Sequence, residues 1–180
     1  MAKPIRLKTH WVLIKAPCEM VFQKMSSFGR GRIQGDNNES PKVIARDGNV
    51  IVAEFRARAG AGPFTYTTIE QVTLQPSDEQ VTLEPSERIT FKHLKGPLHY
   101  ACEEFVFNDV DGDTELVHSG EFIWHWLPIV GRLGGLGGLV YTKPTFERAI
   151  EKHMRQIQAT CEARASRSLV FSKRKVTQSD

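Results

Sequence analysis

The chain has 180 residues, 40% of them hydrophobic and 25% charged, with a formal net charge of +3. These values suit one globular domain, long enough to bury a substantial core. They exclude a membrane-spanning helix, because no apolar run approaches the ~20 residues needed, and a dedicated nucleic-acid binder, because the body lacks a basic stripe interleaved with aromatics.

A first strand is expected over Lys8 to Lys15, where Trp11, Val12, Leu13 and Ile14 supply bulk. Lys15 interrupts this short apolar segment, so the basic N-terminus does not read as a signal peptide and a cytoplasmic location is expected. Pro17 can open a helix without losing a needed N–H, Val21, Met25 and Phe28 recur at helical spacing, and Gly29 offers a stop. Residues 30–41 are polar and Gly-rich and read as a loop. Gly29, Gly31 and Gly35 have the wrong spacing for a nucleotide fingerprint.

Asp47-Gly48-Asn49 separates strands at Lys42–Arg46 and Val50–Ala59, which is hairpin chemistry. In the second strand Ile51, Ala53, Phe55 and Ala57 alternate with Glu54, Arg56 and Arg58, giving an inside and an outside. After the Gly60–Pro63 break, Phe64, Tyr66, Val72 and Leu74 mark another strand, with threonines on the opposite parity. Gln80–Leu83 and Arg88–Leu94 read as shorter strands around Pro85. Pro97–Asn108 and Thr114–Trp126 read as a last hairpin closed by Asp109–Gly112. An apolar, Gly-rich connection over residues 127–140 leads to a long helix starting near Pro144. Its apolar face takes Phe146, Ala149, Ile150, His153, Ile157, Thr160 and Cys161. Consecutive antiparallel strands with segregated helices make an α+β domain.

This order, with KAPCEMVFQKM (15–25), DGDTELVHSGEF (111–122) and the closing helix, resembles the START-like superfamily (SRPBCC). Its members include polyketide cyclase/dehydrases, lipid-transfer domains, coenzyme Q-binding proteins and pollen-allergen-type carriers. The likeness spans about Ile5 to Arg164. It implies a helix-grip fold, in which a curved antiparallel sheet of about six to seven strands wraps around the C-terminal helix and encloses an apolar tunnel. A short helical segment follows strand 1. Residues 1–165 would form the ligand-binding domain and 166–180, with Arg167, Lys173, Arg174 and Lys175, a basic flexible tail. The implied function is binding or transport of a small hydrophobic ligand, whether lipid-like, polyketide-like or otherwise cyclic. A cyclase/dehydratase and a membrane or protein interaction module are the alternatives, the latter using 127–140 or the basic tail for transient membrane contact. The superfamily offers no universal catalytic motif, so fold does not decide among them.

The candidate chemistry centres on the last hairpin. A four-residue loop at Asp109–Gly112 pairs Phe107 with Thr114 and sets Glu103 directly opposite His118. With Phe105, Phe107, Leu116, Phe122 and Trp124 on the same parities, an inward face would bring a carboxylate and an imidazole together inside. That pair could orient a hydroxyl or carbonyl, or act in acid/base catalysis. The competing reading is a structural cross-strand pair, and a one-residue slip in register would turn both side chains out. His153 lies on the apolar stripe of the closing helix, and His99 shares the parity of Glu103. Phe55, Tyr66, Phe91, Phe122, Trp124, Phe146 and Ile150 are the expected wall of a ligand site. Cys18, Cys102 and Cys161 show no CxxC spacing and the six histidines no HxxxH or HxH spacing, so neither a metal site nor a cofactor is expected.

Overall fold

The computed structural model describes residues 3–28, 41–58, 65–76, 87–124 and 142–177, which form eight strands and two helices. The strands are β1 (Ile5–Arg6), β2 (His10–Ile14), β3 (Lys42–Asp47), β4 (Val50–Arg58), β5 (Thr65–Gln75), β6 (Glu87–Lys95), β7 (Leu98–Val110) and β8 (Asp113–Trp124). Helix α1 (Cys18–Ser26) follows β2, and helix α2 (Lys143–Thr177) closes the chain. The sheet is antiparallel, in the order β1-β8-β7-β6-β5-β4-β3, with β2 pairing β8 after β1. The curved antiparallel sheet of about six to seven strands expected from the sequence is borne out, with the N-terminal segment supplying two short strands. Expected features at Gln80–Leu83, at 127–140 and at Trp126 lie outside the described residues.

Both sharp hairpins form at Gly-containing turns. Gly48 (φ 54°) lies between β3 and β4, and Asp111 (φ 56°) with Gly112 (φ 85°) lies between β7 and β8. Two successive residues at positive φ match the right-handed twist of the strands they join. The last hairpin therefore has a two-residue turn, with Val110 paired to Asp113, and not the four-residue loop expected.

Alternation then sorts the side chains. Ile51, Ala53, Val72, Ile89, Phe105, Phe107, Leu116 and Phe122 are buried on one face. Against them pack Val21, Phe22 and Phe28 from the α1 region and Ile150, Met154, Ile157 and Cys161 from α2. Fully burying a side chain such as Phe107 contributes roughly 1.5–3 kcal/mol. The buried line on α2 advances by four, three and four residues. Ala149 and Thr160, expected on that stripe, lie one position off it and are exposed, while Met154 takes a core place. The helix runs on to Thr177, so the backbone of residues 166–177, read above as a tail, is helical.

Side chains of α2 also clasp the N-terminal strands. Glu147 accepts from the Lys8 amide (2.8 Å), Glu162 accepts from the Lys15 amide (3.1 Å), and Gln158 donates to the Leu13 carbonyl (2.8 Å). These bonds satisfy backbone groups flanking and within β2 that the sheet does not use, and they fix the helix along that margin. Among the described residues no helix is long and apolar enough to cross a membrane.

Candidate functional site

The inner face of the sheet is apolar at the α1 end and becomes polar toward its middle. At the apolar end the rings meet edge to face. Phe28 contacts Phe55 (6.3 Å between centroids) and Phe91 (6.1 Å), Phe91 contacts Phe105 (5.9 Å), and Phe22 contacts Phe107 (5.5 Å). Phe105 then packs on the His118 ring at 4.7 Å, which is where the aromatic cluster gives way to titratable groups.

His118 Nε2–H donates to Glu103 Oε2 at 3.1 Å. The two residues are nonetheless not cross-strand partners. His118 faces Phe105, and Glu103 faces Gly120. The two-residue turn shifts the expected register by two positions, and an even shift keeps every side chain on its own face. Gly120 lets the Glu103 side chain pack against the β8 backbone, since a Cβ there would lie 3.0 Å from Glu103 Cγ and 3.2 Å from Leu7 Cδ1. The His118 side chain has no accessible surface, whereas that of Glu103 keeps 25%. His118 Nδ1 is buried and has no hydrogen-bond partner among the described residues. A shared position on β2 and β8 pairs His10 with His118, so His10 belongs to the same face.

Two further groups complete the cluster. His153 projects from α2 between Ile150 and Ile157. Burial holds its pKa below the usual histidine range, with the charge of Glu103 opposing the shift and His118 adding to it. Glu70, which sequence reasoning did not single out, sits on the inner face of β5 between Ala53 of β4 and His93 of β6. Burial, with the charge of the nearby Glu103 carboxylate adding to it and a hydrogen bond from Thr68 (3.0 Å) opposing it, pushes its carboxyl up to about 7. The signal for Glu70 was present in the sequence, because it shares its parity with Tyr66, Val72 and Leu74. A charged residue on an apolar parity calls for a partner or a role.

The remaining candidates divide. Phe122 stacks on Phe146 (5.5 Å, 22°), joining β8 to α2 beside the buried Ile150. Tyr66 and Trp124 are placed by backbone pairing with Ala57 and Leu98; their side chains lie outside what is described. His99 is exposed. A bulge between Leu98 and Tyr100 inserts one residue into β7, so Leu98 and Ala101 are buried while His99 is exposed. Among the described residues no group of three or more His, Cys, Asp or Glu is arranged to hold a metal ion.

No family model matches the chain, and no curated protein matches it in sequence. Solved structures do. The Zhui aromatase/cyclase from Streptomyces sp. R1128 superposes with a TM-score of 0.68 at 16% identity, over 93% of this chain and 96% of that one. The fold is a helix grip. The di-domain aromatase/cyclase StfQ of the steffimycin biosynthetic pathway gives 0.72 at 14% identity, over 91% of this chain and 52% of that one. The lipid transfer and protein localization domain of human StarD13 gives 0.59 at 11% identity, over 85% of this chain and 75% of that one. Identities this low speak to the fold alone.

Proposed function

We propose that the protein binds a small apolar, ring-containing molecule inside the grip, and carries or senses it without transforming it. The observation that carries this reading is Glu103, which points inward yet keeps a quarter of its side chain accessible, beside a His118 that has none. Accessible polar surface on an inward face, next to an aromatic wall, is the composition of a ligand site: mostly apolar, with a few polar anchors. Phe55, Phe91, Phe122, Phe146 and Ile150 form the wall in this reading. Glu103 and His153 meet the ligand's polar atom, and His118 positions Glu103. START-like neighbours named as aromatase/cyclases and as a lipid transfer domain support an apolar ligand at the level of fold. The cytoplasmic location expected from the sequence belongs to the same reading.

The test is a titration with prodan, an uncharged fluorescent naphthyl ketone. Saturable, blue-shifted binding of one probe per chain, weakened by Phe91→Ala, is the expected result. Absence of saturable binding would count against the reading.

A second reading, an enzyme of the cyclase/dehydratase type, draws on the 3.1 Å contact between Glu103 and His118, within reach for proton transfer. Glu103→Gln separates the two. Catalysis requires turnover to vanish while binding survives, whereas carriage gives a graded loss of affinity and no chemistry.

A further inference from the structure

Resting on the ligand-binding reading above, we propose that the polar end of the site selects uncharged ligands bearing a hydrogen-bond-accepting oxygen, such as a ketone, over carboxylate-bearing ones, and that Glu70 imposes the selection. The geometry is a pair of interior carboxyls without a cation. Glu70 comes from β5 and Glu103 from β7, on the same inner face. Among the described residues of the sheet, Arg46 shares that face through its pairing with Ile51, but it is exposed on the edge strand β3; Arg56, Arg88, Lys92 and Lys95 fall on the outer face or at its rim. The groups facing Glu70 are Thr68 on its own strand, His93 from β6, Glu103 from β7, His118 beyond it on β8, and His153 from α2, while β4 contributes Ala53.

Two neighbouring carboxyls do not both ionise without cost, and the one with the better partner keeps the charge. Glu103 has the His118 N–H at 3.1 Å. Glu70 has a neutral hydroxyl from Thr68 and is crowded by the charge of Glu103. Glu70 is therefore the member that holds a proton, and a protonated carboxyl is a donor toward a ligand oxygen. An incoming carboxylate would meet Glu103 and, once Glu70 ionises, a second negative charge. His118 has no surface with which to compensate. Ala53, paired with Glu70, is the small neighbour on β4, and Gly120 lets the Glu103 side chain lie close against the β8 backbone.

The experiment compares three probes of nearly the same shape by calorimetry between about pH 6 and 8: 2-acetylnaphthalene, 2-naphthoate and 2-ethylnaphthalene. The ketone is expected to bind at least about tenfold more tightly than the carboxylate at pH 8, where both interior carboxyls repel it. The gap narrows toward pH 6 as Glu70 takes up its proton. Glu70→Gln, which keeps an uncharged donor, should retain the ketone within about threefold and flatten the pH dependence. Carboxylate binding equal to ketone binding at pH 8 would overturn the proposal, as would an unchanged pH dependence in Glu70→Gln. Should that variant not fold, the wild-type pH series decides alone. Binding of 2-ethylnaphthalene with no discrimination between the other two sinks this inference and leaves the ligand reading standing. Binding of none of the three at any pH removes both.

Discussion

His118 and Glu103 meet at 3.1 Å across a diagonal of the β7–β8 ladder, with Phe105 and Gly120 as their direct partners. Diagonal neighbours are farther apart than direct ones, so the contact needs a long side chain and an empty place beside it. Glu103 supplies the first and Gly120 the second.

Filling that empty place tests the arrangement. A Cβ at position 120 would lie 3.0 Å from Glu103 Cγ, 3.1 Å from the Cys102 carbonyl oxygen and 3.2 Å from Leu7 Cδ1. Gly120→Ala should cost about 1–3 kcal/mol in a urea melt. It should also weaken prodan binding several-fold by displacing Glu103. Unchanged stability and affinity would show that the site tolerates the shift.

Removing the imbedded imidazole is a harsher change. His118→Ala empties a fully buried position against Phe105 and leaves Glu103 without its donor, at a cost of roughly 2–4 kcal/mol. Glu103→Gln keeps an acceptor for His118 and should cost ~1 kcal/mol or less. Chemical denaturation of the two variants measures the difference directly. Equal effects would contradict the asymmetric burial of the pair.

The interior carboxyl of β5 predicts a pH dependence. The Glu70 pKa stands near 7 in the folded chain, raised from 4.5. Below about 4.5 both states hold the proton and there is no differential term. Between 4.5 and 7 the unfolded chain releases the proton that the folded chain retains, so stability falls as pH rises and levels above about 7. The full loss is at most ~3 kcal/mol. Glu70→Gln should remove this slope and be more stable than the parent at pH 8. Parallel Tm–pH curves for the two proteins would refute the assignment.

The clasp between α2 and the N-terminal strands is a local device with a local readout. Glu147 and Glu162 accept from the Lys8 and Lys15 amides. Replacing either by Ala should cost about 0.5–1.5 kcal/mol. Hydrogen exchange should accelerate at the single amide concerned, Lys8 for Glu147→Ala and Lys15 for Glu162→Ala.

Much of this was legible in the sequence, for identifiable reasons. The Asp47-Gly48-Asn49 turn, the alternation from Ile51 to Phe55 and the helical recurrence of Ile150, Ile157 and Cys161 are local signals that the tertiary structure does not override. The inward face of Glu103 and His118 was legible despite a misplaced turn, because a two-residue shift conserves parity. His99 was not, because the bulge beside it changes parity without a glycine or proline to announce it. Glu70 and His93 carried a signal in their parity with Val72 and Phe91. Their convergence with Glu103 depends on the curvature and order of β5, β6 and β7, which no local pattern encodes.

Occupancy of the grip by an apolar molecule can be measured outright. Native mass spectrometry of freshly purified protein, before and after adding one equivalent of prodan, tests it most directly. The expected result is a stoichiometric adduct, either a passenger that solvent extraction releases or the added probe, and its loss when Phe91→Ala and Gly120→Ala are combined. A spectrum showing only the bare chain in both samples would mean that the interior is filled by the protein's own side chains.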